Sequence, residues 1–161
     1  MKSKFHLNLR FATIGLVATP AIAGTAAVAG EKSLEFQLVT KAIDPKSIEV
    51  PNIENQTITQ GKAFGVAVFK DGRTAIKDFV FVSDLNKGIG TSFGYSTYTF
   101  DDGSSITAKW ALEPKSGHGE YANLSGTGAY AGAAGSGTFE RAPSQFKNVG
   151  FYNVRLKITT P

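Results

Sequence analysis

Cysteine is absent from the 161 residues, and histidine occurs only twice. The lack of cysteine excludes disulfide bonds, a thiolate nucleophile and Cys-ligated metal sites. His6 lies in the N-terminal segment described below, so the rest of the chain offers His118 alone, which excludes a site with several histidine ligands. His118 stands in the sequence SGHG, which is typical of an exposed loop. We therefore predict neither a bound metal nor a cofactor.

The sequence also lacks a cluster of positive charge. Of its 17 Lys and Arg residues, three (Lys2, Lys4 and Arg10) precede the main domain, leaving 14 basic residues against all 13 acidic ones. Nucleic-acid binders normally carry a dense basic patch or stripe. Nucleic acid is therefore not a predicted partner.

Residues 1–29 have the composition of a secretory signal peptide. The basic residues precede an apolar run from Phe11 to Ala23, and two small-residue cleavage sites follow, at Ala21–Ala23 and Ala27–Ala29. A membrane anchor is the alternative, but the run is rich in Ala, Gly and Thr and is interrupted by Pro20, unlike a strongly apolar span of about 20 residues. We predict cleavage, a secreted or periplasmic protein, and no stable membrane anchor once the peptide is removed.

Helical periodicity is missing after residue 31, whereas alternation with a period of two is frequent. Hairpin signals such as Asp71-Gly72 separate the alternating runs. The segment from Ala42 to Gln60 is predicted as a long loop with at most a short strand near Ile58. The predicted strands are Ser33–Thr40, Gly61–Phe69, Thr74–Asp84, Ile89–Phe100, Ser105–Leu112, Glu120–Gly126, Ala134–Arg141 and Phe151–Thr159. Because closure removes exposed edges, residues 30–161 are predicted to form a single all-β domain, a closed antiparallel barrel of about eight strands.

Seven of the 18 glycines lie between Gly117 and Glu140. Gly126 to Ala131 fits the loose dinucleotide fingerprint G-x-G-x-x-A, which requires a following helix. Gly132, Gly135 and Gly137 oppose such a helix, so the segment is predicted to be a hairpin whose glycines adopt positive φ or lie close to other backbone.

The run from Asp102 to Trp110, followed by the glycine-rich LSGTGAYAGAAGSGTFE from Leu124 to Glu140, resembles the allene oxide cyclase barrel, which also occurs in dirigent proteins and in bacterial exported proteins. The resemblance covers Ala63 to Thr159 and implies an eight-stranded, calycin-like barrel. It also implies a lumen that takes a small hydrophobic molecule, and in some members cyclises it.

Four residues are the candidate ligand contacts: Glu35, Tyr95, Trp110 and Tyr121. Glu35 is also the candidate catalytic acid or base, since it is the carboxylate of the first strand, although polar strand residues more often face water. Trp110 alternates with apolar residues and so belongs to the core by default. Two functions remain: a barrel that binds a small hydrophobic molecule, and an isomerase or cyclase acting on a reactive hydrophobic substrate. A structural exported protein without a ligand and assembly into a homo-oligomer also stay open.

Overall fold

Nine antiparallel strands and one short 3₁₀ turn make up residues 30–161, the part of the chain described by a computed structural model. The predicted signal peptide lies outside the described residues. The strands are β1 Gly30–Ala42, β2 Lys46–Glu49, β3 Gln56–Phe69, β4 Thr74–Asn86, β5 Ile89–Phe100, β6 Ser105–Leu112, β7 His118–Thr127, β8 Ala134–Arg141 and β9 Gly150–Thr160; the 3₁₀ turn is Gly128–Tyr130. Within these residues no helix has the length and apolar character needed to cross a bilayer.

β1 closes the sheet because it pairs along both of its edges. Leu38 lies opposite Tyr152 of β9 on one side and opposite Ala67 of β3 on the other. β3 to β9 follow one another as antiparallel neighbours. Eight strands, β1 and β3 to β9, therefore form a closed antiparallel barrel, and the predicted fold class is confirmed.

The predicted loop from Ala42 to Gln60 is wrong in part. It contains β2 and the beginning of β3, which pair with each other through Ile48 and Ile58. All four residues of β2 are exposed. Because neither face of β2 is buried, the strand does not need alternating apolar and polar residues, and the sequence therefore does not reveal it. β2 lies outside the closed barrel and extends the sheet along β3.

Aromatic side chains fill the barrel end that the 3₁₀ turn covers. Phe36 packs on Phe69 with ring centroids 4.5 Å apart, Phe69 lies 5.3 Å from Phe100, and Phe100 lies 4.9 Å from Tyr130. Arg73 of the β3–β4 turn lies over the rings of Phe69 and Phe100, with its guanidinium carbon 5.5 Å from each centroid. This end is closed by the protein's own side chains.

The glycine-rich hairpin has the backbone that its sequence predicts. Gly128, Gly132 and Gly135 have φ values of +58°, +72° and +151°. At Gly135 a Cβ would also stand 2.0 Å from the Lys157 carbonyl oxygen of the paired strand β9. Glycine is therefore required there both by φ and by the close approach of neighbouring backbone.

Candidate binding site at the open end of the barrel

The end of the barrel opposite Tyr130 opens into a cleft of about 790 Å³, here called the mouth cleft. One wall comes from the β6–β7 turn, residues 114–117, and another from the segment 142–149 between β8 and β9. Phe79, Trp110 and Tyr152 lie at its inner end. Loops on a closed barrel thus create a concave site without disturbing the strands beneath it.

A smaller inner cavity of about 40 Å³ lies deeper in the lumen. It is lined by Leu38, Thr40, Lys77, Phe79, Trp110, Leu112, Tyr121, Phe139 and Tyr152. Five of these residues also line the mouth cleft: Thr40, Phe79, Trp110, Leu112 and Tyr152. The two spaces are therefore neighbours along the barrel axis, separated only by the side chains that they share.

Lys77 of β4 is the one lysine buried among these aromatic side chains within residues 30–161. Its residue is only 4% exposed, and Nζ donates a hydrogen bond to the Tyr121 hydroxyl at 3.0 Å. The Tyr121 and Tyr98 hydroxyls lie 2.7 Å apart and share a further hydrogen bond. The chain Lys77–Tyr121–Tyr98 thus links three polar groups inside an otherwise apolar lumen.

Burial controls the protonation of this lysine. It lowers the pKa of Lys77 to about 7, because the ammonium ion loses its hydration. Four ring faces oppose this effect by attracting the cation, with Nζ 4.5 Å from the Phe79 centroid, 5.3 Å from those of Tyr98 and Tyr121, and 5.8 Å from that of Trp110. The amine and ammonium forms are therefore both populated near neutral pH. Burial also raises the pKa of Tyr98 and of Tyr121, so both phenols stay protonated there.

The indole nitrogen of Trp110 has no hydrogen-bond acceptor among residues 30–161, although it is buried. An indole N–H can only donate, and leaving a buried donor unpaired costs about 1–3 kcal/mol. Ser96 Oγ is the other buried polar atom without a partner in the described part of the chain, but Ser96 does not line either cavity. Trp110 lines both cavities, so of these two unpaired groups only the indole N–H belongs to a residue that a bound ligand would contact.

Of the four predicted contact residues, Trp110 and Tyr121 face the lumen and line the inner cavity. The other two, Glu35 and Tyr95, lie on the outer face of the barrel, which corrects their expected position. Tyr95 is 57% exposed, and Glu35 accepts hydrogen bonds from Lys70 and from Arg155 Nε, the latter at 3.0 Å. Lys70, followed by Arg155, lowers the pKa of Glu35, which is therefore an ordinary ionised surface carboxylate. The roles proposed for Glu35 and Tyr95 required an inward side chain, and neither residue has one.

The strand period explains both positions. Glu35 lies between Leu34 and Phe36, which face the core, so the alternation of β1 directs its carboxylate outward. In the first half of β5 the inward residues are small, as at Ser92 and Ser96, whereas Phe93 and Tyr95 face outward. Hydrophobicity alone therefore assigns the wrong face to this strand. Phe64 of β3 is likewise on the outer face and 39% exposed.

His118 does not lie in a loop as predicted. It begins β7, and its ring Nδ1 is hydrogen-bonded to Glu140 of the paired strand β8. Gly117, with φ +76°, is the last residue of the turn before β7. Its carbonyl accepts a hydrogen bond from the Arg141 backbone N–H, which joins this end of the turn to β8. Glu140 raises the pKa of His118, which stays on the outer face, away from the lumen.

Lys77 is the site residue that the sequence does not reveal. The run TAIKDFVFV has apolar residues at both odd and even positions, so its alternation does not distinguish the inner from the outer face. Only the pairing of β4 with β3 and β5 places Ala75, Lys77 and Phe79 on the inside. One feature of the sequence could have indicated its position: Lys77 lies two residues before Phe79 in β4. Residues two apart in a strand share a face, so Lys77 faces the lumen if Phe79 does.

The charged side chains that line the site within residues 30–161 are basic, while Glu113 lies beside the rim and accepts a hydrogen bond from Ser116. The charged residues lining the mouth cleft are Lys115 and Arg141, and the inner cavity adds Lys77. No Asp or Glu of residues 30–161 lines either space. In the same residues, no three His, Asp or Glu side chains come together as a metal-ligand set, and the absence of a metal remains a prediction.

No protein-family model matches the sequence, and no curated protein matches it. Solved structures do resemble the fold. The pterocarpan synthase dirigent protein GePTS1 superposes with a TM-score of 0.61 at 16% identity, covering 92% of this chain and 98% of that one. The pterocarpan synthase dirigent protein PsPTS1 gives a TM-score of 0.53 at 18% identity, covering 81% of this chain and 94% of that one. The chain thus has the eight-stranded barrel fold of the dirigent proteins.

Proposed function

We propose that this barrel binds a small hydrophobic molecule in the mouth cleft, with the inner end of the molecule beside Trp110. The observation that carries the proposal is a cleft of about 790 Å³ with polar residues on its walls and the aromatic side chains of Phe79, Trp110 and Tyr152 at its inner end. Small-molecule sites are typically clefts of about 300–1,000 Å³ with apolar walls and a few polar groups that fix orientation. The likeness to pterocarpan synthase dirigent proteins supports the proposal by fold alone.

The energetics of such binding follow from the shape of the site. An apolar ligand that enters the cleft removes its own surface and that of Phe79, Trp110 and Tyr152 from water, at roughly 25 cal/mol per Å². A hydrogen bond from Trp110 Nε1 to the ligand would satisfy the unpaired donor. Selectivity would then come from one acceptor at the inner end of an otherwise apolar molecule.

An isomerase or cyclase is the second candidate, and Lys77 is the observation that favours it. An uncharged amine in an apolar site can accept a proton from a bound substrate, and its pKa of about 7 suits acid and base work near neutrality. Glu35 cannot serve this role from the outer face. Turnover of a reactive hydrophobic substrate that Lys77→Met abolishes and Glu35→Gln preserves would favour the enzyme.

The binding proposal can be tested with N-phenyl-1-naphthylamine, an uncharged fluorescent probe that accepts energy from tryptophan. Trp110 is the sole tryptophan of the sequence, so the quenched emission comes from one position, and the two variants below show whether the probe occupies the mouth cleft. We expect saturable quenching in the wild type. Thr40→Phe, which places a ring where the two cavities meet, should abolish it, whereas Val39→Phe, on the adjacent and outward-facing position of β1, should not.

Circular dichroism of both variants establishes that each is folded. If the wild type shows no saturable quenching by the probe, the binding proposal fails and a structural role without a ligand is favoured. If Thr40→Phe folds and still binds as the wild type does, the molecule binds at a different place on the protein.

We also propose export through cleavage of residues 1–29. Assembly into a homo-oligomer stays a prediction, for which the outer face of β3 to β5 offers exposed Phe64, Val80, Phe93 and Tyr95.

A further inference from the structure

Lys77 is a buried cation site without a counter-ion. Among residues 30–161 its hydrogen-bond partner is the neutral Tyr121 hydroxyl, and no carboxylate lines either cavity. Asp78, the next residue along β4, is exposed on the outer face. Buried lysines are almost always paired with an anion, because an unpaired buried charge is costly. The charged form of Lys77 therefore lacks a counter-ion at the inner cavity.

Trp110 provides an independent indication of the same missing group. Its indole N–H is an unpaired donor, and its ring lines the inner cavity together with Lys77. Two residues that carry donors, and no Asp or Glu of residues 30–161, line this space of about 40 Å³. This volume exceeds the 10–15 Å³ or so that one water molecule requires, and it suits a group as small as a carboxylate.

The entrance has the matching electrostatics. Lys115 and Arg141 line the mouth cleft, and no acidic residue of the described chain lines it. Basic side chains along a concave surface concentrate anions near it. An anion that approaches the inner cavity therefore passes two basic side chains in the mouth cleft.

We infer that the inner cavity is an anion subsite that takes the carboxylate of an aromatic acid, with Lys77 Nζ and Trp110 Nε1 as the donors and the apolar part of the acid in the mouth cleft. This inference rests on the proposed function, because it specifies the kind of molecule that the mouth cleft binds. An aromatic body fits the ring faces of Phe79 and Tyr152 at the junction of the two spaces.

Binding of an acid at this subsite should be coupled to protonation of Lys77, and this coupling can be measured. Three tyrosine hydroxyls surround this lysine or share its cavity: those of Tyr98 on β5, Tyr121 on β7 and Tyr152 on β9. The residues of β1, β6 and β8 that line the inner cavity carry no ionisable group. Burial lowers the pKa of Lys77 to about 7, and a bound carboxylate raises it again. Above neutral pH the acid therefore binds with uptake of one proton, and its affinity falls by up to about tenfold per pH unit.

The experiment is calorimetric titration with 3-phenylpropanoate, its methyl ester and 3-phenylpropan-1-ol, which share one apolar body. We expect the acid to bind at least tenfold more tightly than the ester or the alcohol at pH 7. In buffers of different ionisation enthalpy at pH 8.5, the wild type should take up nearly one proton for each acid bound. Lys77→Met should remove both the preference for the acid and the proton uptake while still binding the ester.

Lys109→Met is the matched control, since Lys109 lies beside Trp110 on β6 but faces outward, and it should behave as the wild type does. Arg141→Met tests the role of the entrance: it should weaken binding of the acid yet leave proton uptake unchanged.

Equal affinity for acid, ester and alcohol would overturn the anion subsite, while the proposal that the barrel binds a small hydrophobic molecule would still hold. Acid preference with proton uptake that persists in Lys77→Met would also overturn it, and binding of none of the three compounds would count against the proposed function itself.

Discussion

Arg73 donates a hydrogen bond from Nη1 to the Tyr130 hydroxyl at 2.7 Å, joining the β3–β4 turn to the 3₁₀ turn across one end of the barrel. The same guanidinium forms an ion pair with Asp71 at 2.7 Å and covers two phenylalanine rings. Because one planar cation makes all of these contacts, the closed end depends on it.

Replacement of Arg73 with Met should therefore lower the free energy of unfolding by about 1–3 kcal/mol, through loss of the Tyr130 hydrogen bond and of the contacts with the ring faces. Urea denaturation measures the change. Lys70→Met is the control from the same turn, since Lys70 is a largely exposed partner of Glu35 and its loss should cost less than about 1 kcal/mol. Equal effects of the two substitutions would contradict the closing role of Arg73.

Lys77 should make stability depend on pH. Its pKa is about 7 in the folded chain and 10.5 when unperturbed, so between these values the unfolded chain binds more protons. Stability therefore rises as pH increases from 7 towards 9.5, by at most about 1.4 kcal/mol per pH unit, and the penalty of the buried charge is fully present below pH 7. Lys77→Met should be more stable than the wild type at pH 7, and this difference should shrink as pH rises.

Comparison of the two proteins at each pH cancels other titrations, including that of His118. Thermal unfolding from pH 6.5 to 9.5 is the measurement, because above this range unfolded tyrosines begin to ionise. A difference in stability that stays constant with pH would show that Lys77 keeps its ordinary protonation in the folded chain.

Gly135 should tolerate substitution far less well than Gly72, although both have positive φ, +151° and +87° respectively. A Cβ at Gly72 meets nothing within 4 Å, whereas at Gly135 it meets the Lys157 carbonyl oxygen at 2.0 Å. Gly72→Ala should cost about 1 kcal/mol from backbone strain alone, and Gly135→Ala clearly more than that. Chemical denaturation compares the two directly, and equal losses would mean that the β8 backbone moves freely away from β9.

Export should remove the N-terminal residues. We expect the mature chain to begin near Gly24 or Gly30, directly after one of the two Ala-x-Ala sequences. Intact-mass spectrometry of protein recovered from a secretion-competent host measures the new terminus. A chain that retains Met1 in the membrane fraction would overturn both cleavage and the secreted or periplasmic location.

The sequence predicts the barrel well because turns and strand period are local properties. Ile89–Phe100, Ser105–Leu112 and Ala134–Arg141 are strands with the predicted bounds, and each follows a turn that contains Gly or Asp. The faces of β3 to β5 are harder to predict, since these strands carry large apolar residues on both faces, outside as at Phe64, Val80 and Phe93 and inside as at Phe69, Phe79 and Phe100. Tyr95 lies on the face opposite to the expected one for this reason, and only the register between strands places Lys77 next to Tyr121.

β2 gives this closed barrel a free sheet edge. It pairs with β3 on one side, and no strand of residues 30–161 pairs with its other side, so that row of backbone groups could template pairing with a foreign strand. Three features oppose such pairing: β2 is only four residues long, Lys46 and Glu49 place charge at its two ends, and Pro45 and Pro51 flank it. Recruitment of an additional strand, and with it fibril growth, would therefore begin here and is restrained by the brevity and charge of this one segment.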